Sequence, residues 1–253
     1  MPSLQGQTVL VTRPAQQARN LCALIAAEGG RPVSFPVLEI VSVGDPEQIK
    51  ARLHSLGEYQ WIIFISANAV NFALKANNGK IPRLGRGRIT AIGKATAAAL
   101  KDARLPVKLI PLTGFNSEGL LAMTEFQQLT GQRCLIIRGQ GGRDLLAETL
   151  RQRGAEVEYL EVYKRIRPVI DSRSVTQMII NKELDALTVT SGEALHNLVM
   201  MLSSAPPQQL FRIPLVVFSG RIKVLAQSFG FRRIVVTKKP SDAAIIKALK
   251  YGE

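Results

Sequence analysis

The chain has 253 residues, 46% of them hydrophobic, with 33 Lys and Arg against 19 Asp and Glu and a formal net charge of +14. This is near the length at which one core divides into two domains. No apolar run reaches the roughly 18 residues of a membrane helix and no basic-then-apolar leader opens the chain, so the expectation is a cytoplasmic protein with no membrane partner.

Apolar strand candidates fall at 8–12, 61–65, 88–92, 106–110, 133–137, 185–190, 214–218 and 233–237, with amphipathic segments between them almost throughout. The helix after the first strand places Ala18, Leu21 and Ile25 on one stripe, and the helix after 133–137 places Leu146, Thr149 and Leu150 on the matching stripe. Gly29 and Gly154 follow these two helices, where a left-handed cap costs glycine least. Regular β-α alternation of this kind predicts parallel sheets with helices on both faces.

The chain also repeats itself. Thr8-Val9-Leu10-Val11-Thr12-Arg13-Pro14 aligns with Arg133-Cys134-Leu135-Ile136-Ile137-Arg138-Gly139 at an offset of 125, close to half the chain length. The same offset carries Leu21 onto Leu146, Gly29 onto Gly154, Val37 onto Val162 and Ile62–Ser66 onto Leu187–Ser191, and near position 92 it drifts by about one residue. A whole α/β domain has been duplicated on this reading, so two equivalent strand-end surfaces are expected, with the ligand in the cleft where they face. Two extended segments, Leu38-Glu39-Ile40-Val41-Ser42-Val43 and Tyr159 to Ile166, run past the expected second strands toward Asp45 and Asp171, each a potential helix cap. Two similar linkers suit a chain that crosses twice. They favour one discontinuous domain over two contiguous halves of 1–130 and 131–253. The expected division is 1–37 with 168–253 and, inserted, 38–167, the linkers spanning about 36–43 and 159–168.

Little in the chain suggests metal or nucleotide chemistry. Cys22 and Cys134 read as buried, inert thiols, and His54 and His196 stand alone, without metal-ligand spacing. Gly139-Gln140-Gly141-Gly142-Arg143-Asp144 resembles a dinucleotide fingerprint, but Asp144 takes the place of the third glycine, and no Walker GK[ST] occurs. No cofactor and no metal are expected.

The charge excess points to an anionic partner. The basic runs, Arg83-Leu84-Gly85-Arg86-Gly87-Arg88, Lys164-Arg165-Ile166-Arg167, Arg232-Arg233 and Lys238-Lys239, are not interleaved with aromatics. That weighs against stacking on nucleic-acid bases. Small or basic turns recur instead at the expected strand ends. Ser66-Ala67-Asn68 matches Ser191-Gly192-Glu193; Gly93-Lys94-Ala95-Thr96 matches Ser219-Gly220-Arg221; Arg13-Pro14 matches Arg138-Gly139. Ser66 and Ser191 suit simple N-caps, yet six such turns make a coherent carboxylate-binding surface where open α/β sheets bind ligands. Tyr163, in the second linker, reads either as a packing residue or as a hydrogen-bond and proton donor.

Taken in order, these strings resemble the uroporphyrinogen-III synthase family. Val9 to Pro14, Phe64-Ile65-Ser66-Ala67-Asn68-Ala69-Val70 and Ala91-Ile92-Gly93-Lys94-Ala95-Thr96 carry the likeness first. Ser117-Glu118-Gly119-Leu120-Leu121, Ile137-Arg138-Gly139, Glu161-Val162-Tyr163 and Thr190-Ser191-Gly192-Glu193-Ala194-Leu195 continue it. The resemblance implies two flavodoxin-like parallel-sheet domains, a tandem duplication with one domain discontinuous, joined by a two-stranded linker. It implies a cofactor-free lyase of haem synthesis that dehydrates the polycarboxylate hydroxymethylbilane, inverts its last ring through a spiro intermediate and closes uroporphyrinogen III. By the same resemblance Tyr163 is the catalytic residue that helps release the hydroxyl, and Thr96 is a hydroxyl residue at the cleft. Substrate contacts are expected from Arg13, Pro14, Ser66, Ala67, Asn68, Lys94, Thr96, Arg138, Gly139, Ser191, Gly192, Ser219 and Arg221. The chain departs from the family at Ser219-Gly220-Arg221-Ile222, where Gly-x-Thr is frequent; Arg221 could grip a carboxylate there instead. The expected state is a monomer in transient contact with the preceding enzyme of the pathway. Two other readings compete: a non-catalytic two-domain binder of an anionic small molecule, and a nucleic-acid-binding protein supported by charge alone.

Overall fold

The computed structural model describes residues 3–82, 84–111 and 114–252; Arg83 of the first basic run lies outside them. The chain divides into two compact units, Met1–Glu39 with Ile166–Glu253, and Ile40–Arg165. Both are α/β with parallel strands.

The first unit begins with β1 (Thr8–Val11), α1 (Ala15–Ala27) and β2 (Arg31–Ser34). The rest of it follows the second unit in sequence, as α7 (Arg173–Ile180), β9 (Ala186–Val189), α8 (Gly192–Met201), α9 (Pro207–Leu210), β10 (Leu215–Val217), α10 (Gly220–Phe229), β11 (Ile234–Val236) and α11 (Asp242–Tyr251). Its sheet runs β11-β10-β9-β1-β2, with parallel pairing throughout. The second unit comprises β3 (Glu39–Ser42), α2 (Pro46–His54), β4 (Trp61–Phe64), α3 (Ala67–Ala76), β5 (Arg88–Ala91), α4 (Lys94–Asp102), β6 (Val107–Leu109), α5 (Ser117–Leu121), β7 (Arg133–Gly139), α6 (Leu145–Gln152) and β8 (Glu156–Ile166). Its sheet runs β3-β8-β7-β4-β5-β6, parallel from β8 to β6.

Period-two alternation buries both faces of each sheet. In β4, Ile62 and Phe64 enter one core while Trp61 and Ile63 enter the other. In β1, Leu10 faces one way and Val9 and Val11 the other. Each fully buried side chain of this kind stabilises the fold by roughly 1.5–3 kcal/mol, which is why short strands of three or four residues suffice. α1 buries Ala18, Leu21 and Ile25, the stripe visible in the sequence. Gly29 and Gly154 follow α1 and α6 with φ of +81° and +89°, the left-handed conformation that ends a helix at small cost to glycine.

Asp45 caps α2, its carboxylate accepting the Glu47 N–H at 3.0 Å. Asp171 does not cap α7 itself. The N-cap is Ser172, and Asp171 reaches the Arg173 N–H at 2.9 Å from one position earlier. The segments read as linkers are strands for much of their length: β8 runs for 11 residues, and β3 is its neighbour in the sheet.

Candidate active site

Parallel strands put all their carboxyl ends on one edge of a sheet, and here nearly every edge turn has one build. Ser66, Gly93, Ser191, Ser219 and Ser241 are N-caps with extended backbone, immediately before α3, α4, α8, α10 and α11. The four serine Oγ atoms accept the N–H three residues on, at 3.0 Å for Ser66, 3.1 Å for Ser191, 3.4 Å for Ser219 and 3.3 Å for Ser241. A cap of this kind satisfies one orphan donor; the first two N–H groups of each helix, such as those of Ala67 and Asn68, still lack an intrahelical acceptor and face outward with the positive end of the helix dipole. These turns therefore suit carboxylates. Asn116 before α5 and Ser241 before α11 belong to the same set and were not singled out from sequence. The signal was there, since each precedes a short apolar helical run.

Tyr163 is only 3% exposed. The β7–β8 ladder pairs Arg138 with Glu161 but Gly139 with Tyr163, leaving Val162 as an extra residue. This bulge interrupts the alternation, so that Leu160, Val162 and Tyr163 all join the same core. The phenol hydroxyl lies 3.1 Å from Ser66 Oγ, and the ring packs 5.7 Å from that of Phe72. Beneath the ring is Gly139: a Cβ there would stand 2.5 Å from Cε2 and Cζ of Tyr163. Glycine lets another group approach the backbone closely. At Gly139 the group admitted is the tyrosine ring.

Two of the arginines at the strand ends, Arg138 and Arg13, are engaged by their own chain. Arg138 is 4% exposed; its Nε donates to the Gly139 carbonyl at 3.1 Å, Nη1 to Asp144 Oδ1 at 3.0 Å, and Nη2 to the Gly141 carbonyl. Its guanidinium also stacks 4.6 Å from the Tyr159 ring centroid. Asp144 accepts from the Tyr159 hydroxyl at 2.9 Å. That hydrogen bond, with the one from Arg138, lowers the Asp144 pKa, while desolvation and then Asp144 raise that of Tyr159. Arg138 thus fastens the loop 139–144 rather than presenting a free cation. Arg13 is likewise ion-paired to Asp242, which also accepts from Asn20 at 2.6 Å, and lies over the Phe218 ring at 5.2 Å.

Lys94 and Arg221 are exposed, each in the first turn of its helix. Lys94 Nζ lies 5.0 Å from the Phe115 ring centroid. Thr96 is buried at 4% exposure. Pro14 is the N-cap of α1 and Gly192 the first residue of α8, where an added Cβ would meet Leu225 at 3.2 Å. Tyr163, Ser66 and Gly139 are grouped around one phenol ring, with Ala67 and Asn68 following Ser66 on the same turn and Arg138 preceding Gly139; Arg13 with Pro14, Lys94 with Thr96, Ser191 with Gly192, and Ser219 with Arg221 lie on other turns. Among the described residues no group of three or more His, Cys, Asp or Glu could hold a metal ion.

Doubly wound parallel sheets whose carboxyl-end turns carry backbone donors, with a phenol seated on one of them, define an α/β protein suited to an anionic ligand. A family model described as uroporphyrinogen-III synthase HemD matches residues 19–247. The chain is 35% identical over 253 residues to uroporphyrinogen-III synthase of Salmonella typhimurium, covering 96% of this chain and 100% of that relative. It is 33% identical over 247 residues to the Escherichia coli enzyme, with the same coverage of 96% and 100%. In fold it is similar to the crystal structure of a mutant uroporphyrinogen III synthase of the extremely thermophilic bacterium Thermus thermophilus (TM-score 0.64, 18% identity, 98% of this chain and 100% of that one). It is also similar to uroporphyrinogen-III synthetase of Helicobacter pylori (TM-score 0.59, 16% identity, 95% and 97%). The chain belongs to the uroporphyrinogen-III synthase family, whose members are cyclising lyases of tetrapyrrole biosynthesis.

Proposed function

We propose that the chain dehydrates hydroxymethylbilane, inverts the terminal ring and closes uroporphyrinogen III, with Tyr163 as the donor to the departing hydroxyl. The observation that carries this reading is the seating of Tyr163 within a chain matched to the family over 19–247: a bulge turns the phenol onto the N-terminal turn of α3, where Ser66 holds it at 3.1 Å. Ser66 Oγ already accepts the Ala69 N–H, so it serves Tyr163 best as a donor, leaving the phenol proton directed at the leaving oxygen. The peripheral carboxylates of the substrate are received by first-turn N–H groups at Ala67, Asn68, Gly192 and Gly220, with Lys94 and Arg221 as exposed cations beside them. Arg13 and Arg138 act one step removed, by fixing the turns in place.

We read the two units as copies of one flavodoxin-like fold. Counted from β1 and from β7, the five-strand order in both is second-first-third-fourth-fifth, and the serine caps recur at equivalent strand ends. Much of the catalytic task on this reading is positioning, which can lower a barrier by several kcal/mol.

The test is chromatographic separation of isomers after incubation with enzymatically generated hydroxymethylbilane. Unassisted closure yields the symmetric type I isomer, so the expected product is type III. Type I at the rate seen without protein would overturn the proposal.

A further inference from the structure

At the amino ends of the first unit's strands, opposite the serine-capped turns, lies a cavity of about 710 Å³. Its origin is visible by comparing the two units. Trp61 and Ala186 open equivalent strands: each is first in its strand, Trp61 pairing with Cys134 and Ala186 with Val9, the second residues of β7 and β1. In the second unit the Trp61 indole fills this end of the sheet at 1% exposure. It packs 4.6 Å from the Phe126 ring, stacks 3.8 Å from the Arg88 guanidinium, and donates its N–H to Gln132 at 2.8 Å. In the first unit the tryptophan is Ala186, the position of Arg88 is Pro214, and Gln7 stands where Gln132 does at the offset of 125. Ala186, Pro214 and Gln7 all line the cavity. The space of an indole has been opened while the amide that accepts its N–H has been kept.

The chemistry of the rim narrows the occupant. Val216 and Leu249 give apolar walls, and Lys182, Arg212 and Arg233 bring three exposed cations. The acidic lining residue, Asp185, is already engaged, its Oδ2 accepting the Thr8 N–H at 2.8 Å. The volume lies in the usual range for a small-molecule site.

We propose that this cavity binds a small heteroaromatic carboxylate bearing a ring N–H, of the indole or pyrrole type. The ring enters against Ala186 and Pro214, the N–H donates to Gln7, and the carboxylate meets the cations of the rim. The site is separate from the strand ends assigned above to the substrate.

The probe is indole-3-propionate, titrated into the full chain by calorimetry with heteronuclear NMR to locate it. A Kd of about 1 mM or tighter is expected for a ligand of this size. Naphthoate, which lacks the N–H, should bind more weakly, and inorganic phosphate should not compete. Ala186→Trp should abolish binding by restoring the indole. Arg212→Glu with Arg233→Glu should weaken it at least tenfold; both residues are exposed, so this variant tests the idea even if the tryptophan variant folds poorly. No saturable binding at about 10 mM would overturn the proposal. So would binding that is unchanged in the charge-reversed protein, or phosphate competing as strongly as the carboxylate.

Discussion

Gly139→Ala is the sharpest probe of how Tyr163 is held. The added methyl would lie 2.5 Å from two ring carbons, whereas ordinary contact begins at 3.4 Å, so ring and backbone must separate by about 1 Å. The ring has little room to retreat, being 3% exposed and packed near Phe72. Overpacking of this kind costs about 1–3 kcal/mol, a fall in melting temperature of roughly 2–4 °C for each kcal/mol at this chain length. The displacement would also break the 3.1 Å contact with Ser66. A shift of about 1 Å in a catalytic group can lower turnover on the order of 100-fold, comparable to the lower end expected for losing a general acid outright. The assay pairs thermal melting with initial rates of type III isomer formation for Gly139→Ala, Tyr163→Phe and the double variant. Each single change should slow turnover, and the double should be far from additive because both act through one ring. Melting and turnover of Gly139→Ala equal to wild type would refute the seating of the phenol on this glycine.

Asp144→Asn should lower the melting temperature at neutral pH. The folded-state pKa of Asp144 is depressed, first by the Tyr159 hydrogen bond and then by Arg138, so its stabilisation is present above the ordinary carboxylate value of 3.8 and lost as pH falls through the lower folded value; a variant-to-wild-type gap that persists in strong acid would argue against an ionic origin. Burial pushes the Cys134 thiol up to about 12, leaving a thiolate fraction of about 10⁻⁴ at pH 8. Iodoacetamide on the native protein should therefore modify the partly exposed Cys22 first, with Cys134 reacting only on unfolding; equal labelling by mass spectrometry would contradict this burial. Tyr59 is fully buried and its hydroxyl has no hydrogen-bond partner among the described residues, so Tyr59→Phe should be neutral or stabilising by up to about 1 kcal/mol in urea titration, and a clear loss of stability would mean that the hydroxyl is bonded after all.

Much of this architecture can be read along the chain. The runs 61–65 and 133–137 contain or overlap β4 and β7, and the glycines after α1 and α6 have the positive φ their position implied. These features are local: they follow from apolar periodicity and from the conformations one residue type allows. The family, too, was legible, as an ordered series of short strings none of which is decisive alone. What could not be read depends on partners far apart in sequence. Arg13 meets Asp242 across 229 residues, and nothing near either position announces the pair. Arg138 was assigned to the ligand because a strand-end arginine looks free until the Gly-rich loop after it folds back onto the guanidinium. The extended character of 38–43 and 159–166 could be read, and β3 and β8 fall there, but that these two segments neighbour each other in a sheet depends on residues more than a hundred positions apart.

The bulge at Val162 gives this stretch of β8 one residue more than the matching stretch of β7, and the spare residue makes the segment tolerant of change in one direction only. A chain shortened by one between Leu160 and Tyr163 can straighten the strand: strict alternation then leaves the tyrosine opposite Gly139 and on the side of Leu160, as it is now. What is lost is one buried valine side chain, roughly 1.5–3 kcal/mol of burial, while the phenol keeps its direction. Smoothing the bulge with Val162 retained does the reverse. Tyr163 would follow Tyr159 to the opposite face, and Lys164 would be driven into the core in its place. In natural variants of this segment, a length shorter by one is therefore compatible with the same phenol geometry, whereas a length greater by one needs a wider bulge to keep it.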